Sequence, residues 1–408
     1  MHFAHGPHSE AFVVVVEDKG LSAPGACTSH ARTMTSPPLL DRRIPETAVH
    51  VSNTRQAGTG MVALVFGLIG LIFGIGVGVM HVVKAGISVT AVAGLVSLVA
   101  GLVLVGFAFN VLVRSLHGWW RLLAVPAAFL LVQFVLIPIT PAVYATHVPP
   151  TTVGRTTPAE LGLDYTDVEF ATADGAKLSG WYLPSSNGAA IALLHGSGST
   201  RSAVLDHAAV LARHGYGVLL YDDRGHGRSA GDAMDFGWWG DLGLAAAVSY
   251  LQSRPDVDQA RIGVVGLSMG GEQAVNAAAS DDRIRVVVAD GVEPRLPADQ
   301  LAPEPGPQGW TQQAVQSIAI ATAAFLTDAP EPIPLRDAVK GLAPRPVLLI
   351  AARGEIDFIR HLQRAGPATV STWEMPDTEH TRGLDTHPAE WTARVVSFLD
   401  ATLVAGQE

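Results

Sequence analysis

Residues 265–271 read VGLSMGG and follow directly on the apolar run Ile262-Gly263-Val264-Val265. A serine stands between two glycines, with a third glycine behind it. Glycine weakens a strand interior, so two of them around one hydroxyl need a reason. One reading is a glycine-rich turn whose serine caps a helix. The other is that the turn pushes Ser268 out as a nucleophile, which requires a base, an acid and oxyanion donors elsewhere in the chain.

A Gly-x-Ser-x-Gly stretch between a strand and a helix makes a turn so tight that its flanking side chains must be minimal, hence Gly266 and Gly270. The helix behind it points its amino end at the serine, where negative charge develops during attack. LLHGSGS (193–199) follows the apolar strand Ala189–Leu194 and offers backbone N–H groups. The expected oxyanion donors are the amides of Ser197 and Met269, with His195 holding the turn. YDDRGHGRSAG (221–231) follows the next strand, Gly217–Tyr221.

These three turns, HGSG, DDRGHGRS and GLSMGG, come in the order found in the α/β-hydrolase family, which residues 160–405 resemble. The resemblance implies a mostly parallel sheet with helices on both faces. It makes the Asp223–His226 stretch architectural rather than catalytic. It also implies the chain order serine, acid, histidine. The acid should follow the strand Pro346–Ile350. Counting from the strand end places Glu355 there, which is preferred, while aligning Gly354 favours Asp357. The histidine should precede the last helix, and EMPDTEHTRGL (374–384) supplies His380. His387 reads as helix entry. The expected chemistry is acyl transfer to Ser268, with no cofactor and no metal, because the histidines lack HxxxH or HExxH spacing.

The remaining strands and helices alternate in the same way. Asp167–Thr172 and Ala176–Leu183 read as a hairpin, and Arg261–Val265, Ile284–Ala289 and Pro346–Ile350 as buried strands. Ser202–His214, Gly240–Gln252, Gly270–Ala279 and Trp391–Leu403 read as helices. An insertion, about residues 291–341, interrupts this pattern. Its Trp310, Val315, Ile318 and Phe325 are candidate acyl-binding residues if it forms a cap. A helix packed on the sheet edge is the alternative.

The chain of 408 residues is 48% hydrophobic and only 16% charged. Soluble domains carry roughly 25% charged residues, so part of this chain belongs in lipid. Three charge-free runs, about 61–83, 86–113 and 122–145, are each long enough to cross a bilayer as a helix. Trp119, Trp120 and Arg121 suit an interfacial anchor. Residues 1–58 read as a disordered tail, with Met34 as an alternative start and the single Cys27 without a role. Residues 146–158 read as a stiff linker to a hydrolase domain over 159–408. Arg42, Arg43, Arg55, Arg114 and Arg121 lie on one side of the three spans and Lys84 and Arg155 on the other. This puts the hydrolase domain outside the cytoplasm of a bacterial cell. The net charge of −10 excludes a nucleic-acid partner. The expected partners are the lipid bilayer and a small acyl substrate. Alternative functions are a peptidase or amidase of the same fold, or an inactive fold serving as a membrane binding module.

Overall fold

The computed structural model describes residues 46–115, 118–303 and 305–405. Cys27 and Met34 lie outside these. Three apolar helices come first, at Gln56–Lys84, Val89–Ser115 and Ala124–His147. They match the three charge-free runs. The first is part of a longer helix that begins at Glu46, so the supposed tail ends before residue 58. The physical reason is that a charge-free run marks what lipid can cover, whereas a helix can continue through polar turns into water.

Glycines bring the first two helices into backbone contact. A Cβ on Gly94 would stand 2.2 Å from the Gly78 Cα, and one on Gly74 would stand 2.6 Å from the Leu98 Cα. Lipid tails are as apolar as leucine, so such close packing rather than burial from water holds helices together in a bilayer. The third helix is interrupted by a π-helical stretch at Val132–Leu136 and contains Pro141.

The segment behind the third helix is fastened to the next domain. Thr151 Oγ1 donates to the Gly198 carbonyl at 2.6 Å, and the Gly227 amide donates to the Thr151 carbonyl at 3.0 Å. The segment read as a linker is therefore seated on the HGSG and DDRGHG turns.

The sheet has eight strands: β1 Thr166–Ala171, β2 Lys177–Leu183, β3 Ala190–Leu194, β4 Gly217–Tyr221, β5 Ile262–Leu267, β6 Val287–Asp290, β7 Val347–Ala352 and β8 Val370–Met375. Their order is β1-β2-β4-β3-β5-β6-β7-β8. β2 runs antiparallel to β1 and β4, and β3 to β8 run parallel. The period of two along buried strands divides the core. Ala190, Ala192 and Leu194 join the cluster on one face, while Ile191 and Leu193 join the cluster on the other. Helices therefore cover both faces.

The chain reverses direction across the sheet between β3 and β5. The helix Leu205–Arg213 after β3 packs on one face, and Met269–Ser280 after β5 packs on the other. A crevice opens between two such helices at the carboxyl ends of the strands. HGSG and Ser268 both lie there.

The insertion carries the helix Pro307–Leu326. This helix runs along Ile137–His147 of the third apolar helix and reaches its π-helical stretch. It is not a helix of the sheet edge.

Replacing Gly94 with Leu is expected to force the first two helices apart and lower the thermal midpoint of the detergent-solubilised protein by several degrees. Gly106→Ala, where an added Cβ meets nothing within 4 Å, is expected to hold or raise it. Scanning calorimetry of both variants checks the pair.

Candidate active site

Ser268 sits at φ 55°, ψ −124°, a left-handed backbone that a non-glycine residue adopts only when its surroundings compel it. Its amide donates to the Asp290 carbonyl at 2.7 Å, and its carbonyl accepts from the Gly271 amide at 2.7 Å. The neighbouring glycines leave no room for a side chain. A Cβ on Gly266 would stand 2.2 Å from the Gly270 carbonyl oxygen, and one on Gly270 would stand 2.7 Å from the His195 carbonyl oxygen. The turn thus packs backbone on backbone, and the hydroxyl projects at the sheet edge.

His380 Nε2 lies 2.9 Å from Ser268 Oγ, and its Nδ1 lies 2.5 Å from Glu355 Oε1. An Nδ1–H that donates to the carboxylate leaves Nε2 free to accept the serine proton. Glu355 is buried at the start of the helix Ile356–Ala365, and its other oxygen accepts from the Ala352 amide at 2.7 Å. Counting from the strand end therefore selects the carboxylate that faces the imidazole. Asp357 points away, 84% exposed, with Arg360 at 3.6 Å. His387 pairs instead with Asp377 at 3.0 Å. The hydrogen bond to Glu355 holds the His380 imidazole above its ordinary pKa, against an opposing effect of burial.

The HGSG turn stands across from the serine, since a Cβ on Gly196 would stand 3.3 Å from the Ser268 Cβ. Among the described residues, neither the Ser197 nor the Met269 amide has a hydrogen-bond acceptor. Two histidines hold the turn. His195 Nε2 accepts from the Asp223 amide at 3.0 Å, and His226 Nε2 accepts from the Gly198 amide at 3.3 Å. His226 must be neutral to accept there. Burial, with His195 adding to it, pushes His226 down to about 3. Asp222 accepts from the Arg201 and Arg228 amides, both at 2.9 Å, so the DDRGHG stretch is framework.

Two cavities meet at Ser268. One, of 390 Å³, lies on the His380 side and is bounded by Asp206, His207, Arg382 and Asp385. The other, a cleft of 260 Å³, is bounded by Phe236, Trp238, Met269, Pro141 of the third apolar helix, and Ala319 and Ile320 of the insertion helix. Glu272, Glu293, Arg295 and Gln316 also border this cleft. Burial pushes Glu272 up to about 7, with Arg295 opposing from 3.6 Å.

None of Trp310, Val315, Ile318 and Phe325 borders the cleft. The helix turn of 3.6 residues explains this, because Gln316, Ala319 and Ile320 share one face and Ile318 and Phe325 lie roughly opposite. Trp310 and Phe325 are 60% and 88% exposed.

Sequence reading also missed Asp290, a buried carboxyl beside the His380–Glu355 pair whose oxygens close no hydrogen bond. Burial pushes it up to about 7, with the Trp391 indole pulling it partly back and Glu355 adding to the rise. Nothing local in sequence distinguishes such a residue from a strand-end turn aspartate. Among the described residues, no group of three or more His, Cys, Asp or Glu side chains is placed to hold a metal ion.

A family described as serine aminopeptidase, S33, matches residues 185–305. A thiohydrolase of Aspergillus aculeatus, aneE, is 34% identical over 140 residues, 31% of this chain and 41% of that protein. A polyketide transferase of a Penicillium species, grgF, is 35% identical over 136 residues, 31% of this chain and 45% of that protein. The chain thus spans less than half the length of these curated relatives. The solved structure of an esterase from Pyrococcus furiosus, Pf2001, superposes with a TM-score of 0.52 at 29% identity, covering 63% of this chain and 98% of that one.

Two outcomes follow from the charges. The folded Asp290 keeps a proton that an unfolded carboxyl near 3.8 releases, so stability should fall as pH rises from about 4 to about 7. Thermal midpoints at about pH 5 and about pH 8 should differ less in Asp290→Asn than in the parent. Glu355→Gln should lower kcat for an activated ester by about 10³–10⁴-fold. It should also move the pH midpoint of kcat/KM down, because it removes the main cause that raises His380. Asp357→Asn should change neither.

Proposed function

Since the chain belongs to the α/β-hydrolase family, we propose that it is a membrane-anchored serine hydrolase that cleaves carboxylic esters or thioesters through an acyl-enzyme on Ser268. The observation that carries this reading is the unbroken hydrogen-bonded line from Ser268 Oγ through His380 to Glu355. Ser268 Oγ attacks the carbonyl carbon while its proton passes to His380 Nε2. Glu355 orients the imidazole and stabilises its charged form without taking the proton. The oxyanion accepts from the Ser197 and Met269 amides, each otherwise unused. His380 returns the proton to the departing alkoxide or thiolate. Water then repeats the steps in reverse and frees Ser268.

The thiohydrolase and esterase likenesses support ester and thioester substrates over amides. Peptide cleavage is the second reading. It is favoured by the aminopeptidase description of the matching family and by Glu293, a carboxylate on the cleft that suits a substrate ammonium. The three apolar helices would hold the enzyme in the bilayer, with the hydrolase domain on the side away from the arginine-rich loops.

Labelling of the full chain with a fluorophosphonate tests the proposal. The parent should label, and Ser268→Ala and His380→Ala should not. Hydrolysis of nitrophenyl esters should exceed that of aminoacyl naphthylamides by at least about a hundredfold, since an amide leaving group needs a stronger push from His380. A folded parent that does not label would instead indicate a binding module.

A further inference from the structure

The cleft beside Ser268 is walled in part by a helix that a bilayer would surround. The third apolar helix has 24 residues. That is about 36 Å, a few ångströms longer than a hydrocarbon core of ~30 Å. Pro141, on the cleft, lies about 9 Å from the end of the span at His147. With the excess length shared between the two ends, that is about 6 Å inside the acyl-chain region. The adjoining wall is the insertion helix, Pro307–Leu326, which carries no charged residue. It turns Trp310 and Phe325 outward, 60% and 88% exposed, as a helix lying in the membrane interface does. Ala319 and Ile320 face the cleft beside Pro141. Glu272 and Arg295, which also border it, pair with each other at 3.6 Å, and Glu293 and Gln316 add a polar margin.

The two cavities at Ser268 differ in chemistry, and the reaction assigns them. His380 must hand its proton to the leaving group, so the leaving group departs into the cavity that His380 borders. That cavity is polar, with Asp206, Arg382 and Asp385 on its wall. The acyl group then occupies the cleft formed by Pro141, Ala319 and Ile320. We propose that the substrate is a long-chain acyl ester of a polar, hydroxyl-bearing alcohol, taken from the bilayer with its chain laid in the cleft against the packed pair formed by the third apolar helix and the insertion helix. The chain never crosses water, and its headgroup stays on the polar side of Ser268. This rests on Ser268 being the nucleophile.

The test uses the full chain in lipid nanodiscs and compares glycerol monooleate, monolaurate and monobutyrate. Each methylene that the bilayer takes from water should raise the substrate at the cleft by about fourfold until partitioning is complete, so at equal total concentration the long esters should exceed monobutyrate by well over tenfold. Ala319→Trp should cut the laurate-to-butyrate ratio by about tenfold or more, because the indole fills the cleft beside Pro141 and Ile320. An alkyl fluorophosphonate with a terminal diazirine, attached to Ser268 and irradiated, should crosslink to residues 124–147 or 307–326. This readout does not depend on the variant folding. Equal rates for all three esters, an unchanged ratio in Ala319→Trp, or crosslinks confined to residues 199–207 and 382–385 would each overturn the proposal. A parent that neither labels with the fluorophosphonate nor hydrolyses monobutyrate would overturn the hydrolase reading itself.

Discussion

The structure depends on three backbone segments meeting without side chains between them at the carboxyl edge of β5. Gly266 touches Gly270, Gly270 touches the carbonyl of His195, and Ser268 is tied to the Asp290 carbonyl. This contact sets the left-handed backbone at Ser268. Ser197 and Met269 border the same cleft as Ser268. A methyl group at either glycine would push these segments apart by about an ångström, which a close-packed interior does not absorb. The geometry at Ser268 is thus a consequence of packing, and its strained backbone is held by hydrogen bonds on both sides of it.

A second constraint couples this edge to the apolar helices. Thr151, four residues beyond His147, bonds to both Gly198 and Gly227, so the chain leaving the third helix is fastened to the HGSG and DDRGHG turns. Lys84, at the end of the first apolar helix, stacks over Tyr144 of the third, 4.7 Å from the ring centre. The three apolar helices and the turns around Ser268 are therefore tied together directly. A flexible tether would let the domain tumble, whereas these contacts keep the mouth of the site at the end of the helices.

What was legible in sequence was what short-range chemistry dictates. Glycines around Ser268, the histidine before the closing helix and the strand-end count to Glu355 each follow from one stretch of chain. β8 was not legible, because Val370–Met375 is an edge strand with only Val370, Trp373 and Met375 buried, which masks the apolar run of an inner strand. The residues that line the cleft were not legible either. Pro141 and Ile320 are far apart in sequence and meet only because the insertion helix packs on the third apolar helix. Residues chosen there for being large and apolar, Trp310 and Phe325, lie on faces turned away from the cleft, where their size suits lipid.

The central claim is that Ser268 takes up the acyl group. Rapid quenching of the full chain with a slow thioester substrate, followed by peptide mass spectrometry, tests it directly. The account predicts that the peptide containing Ser268 gains the mass of the acyl group within the first turnover, and that Glu355→Gln slows its appearance and its loss together. Turnover of the substrate with no acyl adduct at Ser268 would contradict it.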